Sequence, residues 1–168
     1  MRNIILCGFM GCGKSTVGRT LAQMTGRMFV DTDAYIEAQA GMTVSAIFDR
    51  FGEADFRRRE REACAALAGK QNLVIAAGGG ALTFAENVRA LSVTGDIVLL
   101  EVSPETVLKR LAGDTTRPLL QRADKEKAVR ELMAARAPLY RLAAAFTVNG
   151  ENTPETAAKA VLAVLGQG

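Results

Sequence analysis

The sequence contains no histidine. Without an imidazole side chain, the protein cannot use a histidine as a catalytic base, in a nucleophilic triad or as a zinc ligand, so any proton acceptor must be a carboxylate. Cysteine is also scarce, and the three thiols are Cys7, Cys12 and Cys64. An odd number of cysteines without a signal-peptide pattern argues against a disulfide framework, and we expect a reducing, cytoplasmic location.

The chain also has a small net charge and lacks long hydrophobic runs. The formal charge is only +3 over 168 residues, which is too small to indicate a nucleic-acid-binding protein. No apolar run is long enough to span a bilayer. From the small charge and the short apolar runs together, we expect neither a nucleic acid nor a membrane as a partner. Hydrophobic residues make up 49% of the chain, enough to fill the core of one domain covering residues 1–168.

The most informative pattern is a glycine-rich segment, Gly8-Phe9-Met10-Gly11-Cys12-Gly13-Lys14-Ser15. It fits G-x-x-x-x-G-K-[ST], whose backbone amides surround the phosphates of a nucleoside triphosphate. A chance match in a glycine-rich turn is the alternative, but the segment lies between a predicted strand and a predicted helix, as the motif requires. Lys14 can then reach the β- and γ-phosphates, and the Ser15 hydroxyl can bind Mg²⁺. Cys12 could be a reactive thiol near a helix N-terminus, although a small residue tolerated in the loop is the simpler interpretation.

Short apolar runs alternate with helical stretches along the whole chain. The predicted strands are residues 4–7, 28–30, 73–77, 97–102 and 146–148. Five strands separated by helices predict an α/β fold with a doubly wound parallel sheet. A helix beginning near Lys125 is predicted to end near Pro138.

Ligands of such sheets bind at the carboxyl ends of the strands, which directs attention to the segments that follow them. The second strand leads into Asp31-Thr32-Asp33 and the third into Gly78-Gly79-Gly80. We assign Asp31 to Mg²⁺ and Asp33 to the hydroxyl that accepts a phosphoryl group; the alternative is that Asp33 only caps the next helix. Three consecutive glycines are costly to order, which favours close approach of the backbone to a ligand over a flexible turn.

Arginine is frequent, but most arginines are predicted to be solvated. In the run 57–62, helical rotation scatters the charges, and we expect only one or two of these residues to face a site. We choose Arg57, beside Phe56, with Glu60 able to orient it. Position alone does not separate Arg117 and Arg136 from ordinary surface arginines. Residues 113–124 lack clear periodicity and are a candidate mobile loop.

Together these motifs closely resemble those of shikimate kinases, over nearly the whole chain. The segments that carry the resemblance are Gly8 to Ser15, Asp31-Thr32-Asp33, Phe56-Arg57-Arg58, Gly78-Gly79-Gly80, Thr116-Arg117-Pro118-Leu119-Leu120 and Arg136-Ala137-Pro138-Leu139-Tyr140. The resemblance implies a P-loop kinase fold of the nucleoside monophosphate kinase type, with a substrate-binding segment at about 31–61 and a lid at about 112–124. It also implies ATP-dependent phosphorylation of the 3-hydroxyl of shikimate, toward chorismate and the aromatic amino acids, by a cytoplasmic monomer.

The resemblance further implies roles for individual residues. Shikimate would contact Asp33, Arg57, Gly78, Gly79, Gly80 and Arg136. The nucleotide would contact Gly11, Cys12, Gly13, Lys14, Ser15, Thr16, Arg110, Arg117 and Pro154. Mg²⁺ would bind at Ser15 and Asp31, and Asp33, Lys14 and Arg117 would be the catalytic residues.

Within this set, Arg110 resembles the residue that packs against adenine, and Pro154 resembles the end of the adenine loop. A proline that simply begins a helix explains Pro154 equally well. The loop before it lacks the aspartate often found there in the family.

Two other functions remain open at this point. One is a related P-loop kinase acting on gluconate or on a nucleoside monophosphate. The other is a catalytically silent nucleotide-binding module that regulates a partner, although such a module has no need of the full set of metal, lysine, acceptor and lid residues.

Overall fold

The protein is described by a computed structural model, which covers residues 1–114 and 118–168. Its five strands form one sheet in the order β2-β3-β1-β4-β5, and all four pairings are parallel. The strands are β1 (Asn3–Cys7), β2 (Met28–Asp31), β3 (Leu73–Ala76), β4 (Gly95–Glu101) and β5 (Phe146–Asn149). The doubly wound parallel sheet predicted from the alternating pattern is therefore confirmed.

Helices connect consecutive strands and cover the sheet. Those in the described part of the chain are α1 (Lys14–Thr25), α2 (Thr32–Ala40), α3 (Val44–Phe51), α4 (Glu53–Ala68), α5 (Ala85–Thr94), α6 (Pro104–Arg110), α7 (Lys125–Ala143) and α8 (Pro154–Val164), with 3₁₀ turns at Ala81–Thr83 and Pro118–Gln121. Helix α1 packs against α8, and α4 packs against α5. None of these helices has the length and apolar character needed to cross a membrane, within the residues described.

The core is built on the central strands. Every residue of β1 and β3 is buried, which explains why both strands, apart from Asn3 at the start of β1, are continuous apolar runs without alternation. A second, smaller cluster joins α2, α3 and α4 through Ile36, Ile47 and Phe56. This cluster holds together the three helices that contain the segment predicted at about 31–61 to bind substrate.

The prediction that a helix ends near Pro138 is wrong. Helix α7 runs from Lys125 to Ala143 with Pro138 inside it, although proline removes one main-chain hydrogen bond and crowds the preceding turn. Tyr140 explains why the helix continues, because its side chain is only 4% exposed and packs into the main core. Burial of this large side chain favours continuation of the helix beyond the proline.

Candidate active site

A cleft with about 430 Å³ of free volume lies at the carboxyl end of the sheet, where the phosphate-binding motif, the end of β2 and the turn after β3 meet. It brings together most of the residues that the sequence singled out. Those lining it are Gly11, Gly13, Lys14, Ser15, Thr16, Asp31, Asp33, Arg57, Gly78, Gly79, Gly80 and Arg136. The phosphate-binding motif and the residues predicted to bind an acceptor therefore line the same cleft.

The phosphate loop takes its shape from its glycines. Gly8, Gly11 and Gly13 have φ angles of 146°, 76° and 97°, which residues with a side chain rarely adopt. The Lys14 ammonium donates to the carbonyl oxygens of Gly8 and Phe9 and lies 3.7 Å from the sulfur of Cys12. The lysine is thus folded over its own loop, at the position where phosphate oxygens would enter.

Cys12 contributes to the loop through its backbone. Its N–H donates to the Phe9 carbonyl, 3.1 Å away, and its side chain is 1% exposed and does not line the cleft. A methyl group at Gly8 would lie 2.7 Å from the Cys12 sulfur, so the thiol fills space beneath the loop. This environment favours the simpler interpretation of Cys12 as a small loop residue.

Ser15 and Asp31 bring a hydroxyl and a carboxylate together beside the loop. The Ser15 hydroxyl donates to Oδ2 of Asp31 at 2.9 Å. The other oxygen of Asp31 accepts from the backbone N–H groups of Asp33 and Ala34, so Asp31, and not Asp33, is the N-cap of α2. A hydroxyl and an oriented carboxylate next to a phosphate site suit Mg²⁺, which prefers hard oxygen ligands and usually takes only one or two from the protein.

Each glycine of the triplet after β3 leaves space for a different charged side chain of the cleft. A Cβ atom at Gly78 would lie 2.6 Å from Oδ1 of Asp33, and one at Gly79 would lie 3.3 Å from Nη1 of Arg136. At Gly80 it would lie 2.5 Å from Nη1 of Arg57. The triplet was predicted to allow close approach of a ligand; in the structure it allows close approach of the side chains that would hold one.

Arg57 has the orientation expected from the sequence. Its Nη1 atom lies 2.8 Å from Oε1 of Glu60, which is only 1% exposed. Burial raises the pKa of the Glu60 carboxyl, and the nearby positive charge of Arg57 opposes this rise. The guanidinium also lies 5.4 Å from the ring centres of Phe56 and Phe84, so carboxylate and aromatic contacts hold it in place.

The other arginines of this helix contact surface acids. Arg58 pairs with Asp55 and Glu62, and Arg59 also pairs with Asp55. Arg61 pairs with Glu86. Of the four arginines at positions 57, 58, 59 and 61, only Arg57 lines the cleft.

Two residues that the resemblance placed near the adenine lie outside this cleft. Arg110 donates to the carbonyl oxygens of Gly11, at 3.1 Å, and Gly150, at 3.0 Å, and so connects the phosphate loop to the loop after β5. Pro154 is the first residue of α8, with Thr153 as the N-cap, which is the helix-starting arrangement. Arg117 falls outside the described residues, as does part of the lid predicted at about 112–124.

Glu151 was not anticipated from the sequence, because a single acid in an exposed loop has no distinguishing pattern. Its carboxylate accepts hydrogen bonds from the Thr106 hydroxyl and the Ser103 backbone N–H, and its own N–H donates to the Asn149 side chain. The Thr106 hydrogen bond holds the pKa of Glu151 below its usual range. The loop after β5 is thus attached to the start of α6, although it lacks the aspartate often found there.

Comparison with known proteins identifies the family. The family model for shikimate kinase matches residues 10–166. The shikimate kinase of Methylococcus capsulatus is 43% identical over 96% of this chain and 90% of its own length, and that of Symbiobacterium thermophilum is 50% identical over 84% and 83%. The structure of shikimate kinase from Acinetobacter baumannii in complex with shikimate superposes with a TM-score of 0.93 at 40% identity, covering 99% of this chain and 94% of that one. This chain belongs to the shikimate kinase family.

Proposed function

We propose that this protein transfers the γ-phosphoryl group of ATP to the 3-hydroxyl of shikimate, giving shikimate 3-phosphate and ADP. The observation that carries the proposal is the glycine triplet, against which one carboxylate and two guanidinium groups lie within the same cleft as the phosphate loop. Shikimate is a small cyclic acid with ring hydroxyls. Its carboxylate matches the two arginines, and a hydroxyl matches the aspartate.

Arg57 and Arg136 bind the substrate carboxylate in this proposal. A guanidinium can form two parallel hydrogen bonds with a carboxylate, which fixes orientation as well as affinity. Glu60 keeps Arg57 in position before the substrate arrives, and Arg136 lies with its guanidinium carbon 5.8 Å from the ring centre of Phe9. Because both arginines are held in advance, less conformational freedom is lost on binding.

Asp33 lies at the reacting end of the substrate. As the 3-hydroxyl oxygen forms its bond to the γ-phosphorus and the bond to ADP breaks, Asp33 orients the hydroxyl and takes up its proton. No histidine is available for this task. Lys14 stabilises the charge on the phosphoryl group in transfer, and Arg117, by resemblance to the family, adds to this stabilisation.

The nucleotide site uses the backbone amides of the phosphate loop. Gly11, Cys12, Gly13, Ser15 and Thr16 surround the phosphates, while Arg110 and Pro154 mark the adenine side. Ser15 and Asp31 would hold Mg²⁺, which would neutralise phosphate charge when bound.

We also propose a single kinase domain that acts as a cytoplasmic monomer, with a substrate-binding segment at about 31–61 and a lid at about 112–124 that closes over the nucleotide. Closure would exclude water that otherwise hydrolyses ATP. We expect no nucleic-acid or membrane partner. Size-exclusion chromatography with light scattering tests the monomer, because a mass of twice 17.9 kDa would contradict it.

The decisive experiment is an ADP-release assay with shikimate, gluconate, AMP and CMP as parallel acceptors, and NMR identification of the product. We expect ADP release well above the ATPase background only with shikimate, and phosphorus attached at the 3-hydroxyl. Activity with gluconate or a nucleotide instead would identify a related P-loop kinase. Binding of both ATP and shikimate without ADP release would identify a silent module.

A further inference from the structure

We propose that Tyr140 is a positioning residue for substrate recognition, which holds Gly79 and Arg136 in the arrangement that receives the shikimate carboxylate. The proposal rests on the proposed function of Arg136 and adds a residue for which the resemblance implied no role. Tyr140 is buried and does not line the cleft, so it acts through its two neighbours.

The contact with Gly79 is direct. The Tyr140 hydroxyl donates a hydrogen bond to the Gly79 carbonyl oxygen, which joins α7 to the turn after β3. The tyrosine side chain is 4% exposed, and burial raises the pKa of its hydroxyl to about 12. At neutral pH a tyrosine hydroxyl is protonated, and this one is available as a donor.

Arg136 completes a compact group of three residues. It lies four residues before Tyr140 on α7, and side chains with this spacing share one face of a helix. A Cβ atom at Gly79 would lie 3.3 Å from Nη1 of Arg136, so the guanidinium rests against the same glycine whose carbonyl Tyr140 holds. Continuation of α7 through Pro138 is what brings Tyr140 to this position.

The hydroxyl can be separated from the packing role of the ring. Phenylalanine would fill the same space in the core, but it would leave the Gly79 carbonyl without its donor. If Tyr140 served only core packing, replacing it with phenylalanine would leave every kinetic parameter unchanged. A positioning residue would lose shikimate recognition while keeping the fold and the nucleotide site.

The test compares Tyr140→Phe with Tyr35→Phe, which removes the hydroxyl of the other tyrosine in the chain, a residue that does not line the cleft. We expect Tyr140→Phe to raise the KM for shikimate by about three- to tenfold, the range that corresponds to loss of one hydrogen bond. The KM for ATP, the far-UV circular dichroism and the urea slope should stay unchanged. Tyr35→Phe should leave all of these values unchanged.

Arg136→Ala and the double variant Arg136→Ala/Tyr140→Phe separate this inference from the proposed function. If Tyr140 acts through Arg136, the double variant has a KM for shikimate smaller than the product of the two single effects predicts. An unchanged KM in Arg136→Ala would overturn the proposed role of Arg136 and, with it, the role of Tyr140. A raised KM for shikimate in Arg136→Ala with an unchanged KM in Tyr140→Phe would overturn only the inference.

Two further outcomes would also contradict the inference: failure of Tyr140→Phe to fold, and equal rises of its KM values for shikimate and for ATP. In either case the hydroxyl would serve the fold as a whole.

Discussion

Arg57 and Arg58 are neighbours in α4, yet their surroundings differ. Arg57 lies in the cleft against Gly80, with a buried carboxylate as its partner, whereas the Arg58 side chain is 47% exposed and pairs with two surface acids. Exposed ion pairs contribute little to stability, so the contacts of Arg58 are expected to matter little. The difference makes the pair a matched test of substrate recognition.

Arg57→Ala should weaken shikimate binding by about 2 to 5 kcal/mol, because the substrate carboxylate would lose a desolvated partner. ATP binding should be almost unaffected, since the guanidinium of Arg57 donates its hydrogen bond to Glu60 on its own helix. Isothermal titration calorimetry measures both affinities, and Arg58→Ala serves as the control. Equal shikimate affinity in the two variants would contradict the assignment.

Asp33→Asn should lower kcat by about 10²- to 10⁴-fold, the usual contribution of a positioned acid–base group. The amide keeps the shape of the side chain but cannot take the proton of the 3-hydroxyl. Urea unfolding should show a midpoint close to that of the wild type, and the exposed Asp49→Asn gives the control. Turnover within a factor of about three of wild type would show that Asp33 is not the proton acceptor.

The turn after β3 leaves space for the charged side chains of the cleft. Gly80 has a φ of −100°, which other residues adopt readily, so its backbone does not require glycine. The requirement comes from the guanidinium of Arg57, which lies where a Cβ would be. The same reasoning applies to Asp33 at Gly78.

Gly80→Ala should therefore displace Arg57 without unfolding the turn. We expect the KM for shikimate to rise about tenfold or more, by loss of at least one charged hydrogen bond, with little change in the urea midpoint. Gly69→Ala is the control, because its φ is −76° and the nearest atom to the added carbon would be 3.5 Å away. An unchanged KM for shikimate in Gly80→Ala would mean that Arg57 need not occupy this position.

Some elements could be predicted from the sequence and others could not, for physical reasons. The strands and the phosphate loop are encoded locally, by apolar runs and by glycines at positive φ. The extent of α7 depends on burial of Tyr140 against residues distant in the sequence. The rule that a helix ends near a proline considers only the neighbours of Pro138. For the same reason Arg136 was identified through the family resemblance, since its neighbour Gly79 lies far away in the sequence.

The site shows the same division. Glu60 was predicted to orient Arg57 because both lie on one helix, three residues apart, and the ion pair is present. The attachment of Glu151 to Ser103 and Thr106 joins segments about 45 residues apart, and no local pattern encodes it. The pairing of each glycine in the triplet with one side chain is likewise a property of the folded sheet edge.

The whole molecule should lose stability in alkaline solution. Burial raises the pKa of Cys7 and Cys64 from 9.0 to about 12. Between these values the unfolded chain releases protons that the folded chain retains, so the free energy of unfolding falls as pH rises, and the contribution is fully present only below pH 9. Each thiol should contribute up to about 1.4 kcal/mol per pH unit.

Urea denaturation with reduced thiols, at intervals from about pH 8 to about pH 10.5, measures this slope. Cys64→Ala should have a shallower slope than the wild type above pH 9, whatever its absolute stability. An equal slope in the two proteins would contradict the account of Cys64 as a protonated, buried thiol.

In the proposed arrangement of the whole cleft, one acid and two guanidinium groups hold shikimate in line with the bound triphosphate. A crystal structure of the complex with shikimate and a non-hydrolysable ATP analogue tests it most directly. The account predicts the carboxylate between Arg57 and Arg136, and the 3-hydroxyl about 2.6 to 3.2 Å from an Asp33 oxygen and directed at the γ-phosphorus. Shikimate bound outside the cleft, or with its carboxylate directed at Asp33, would contradict it.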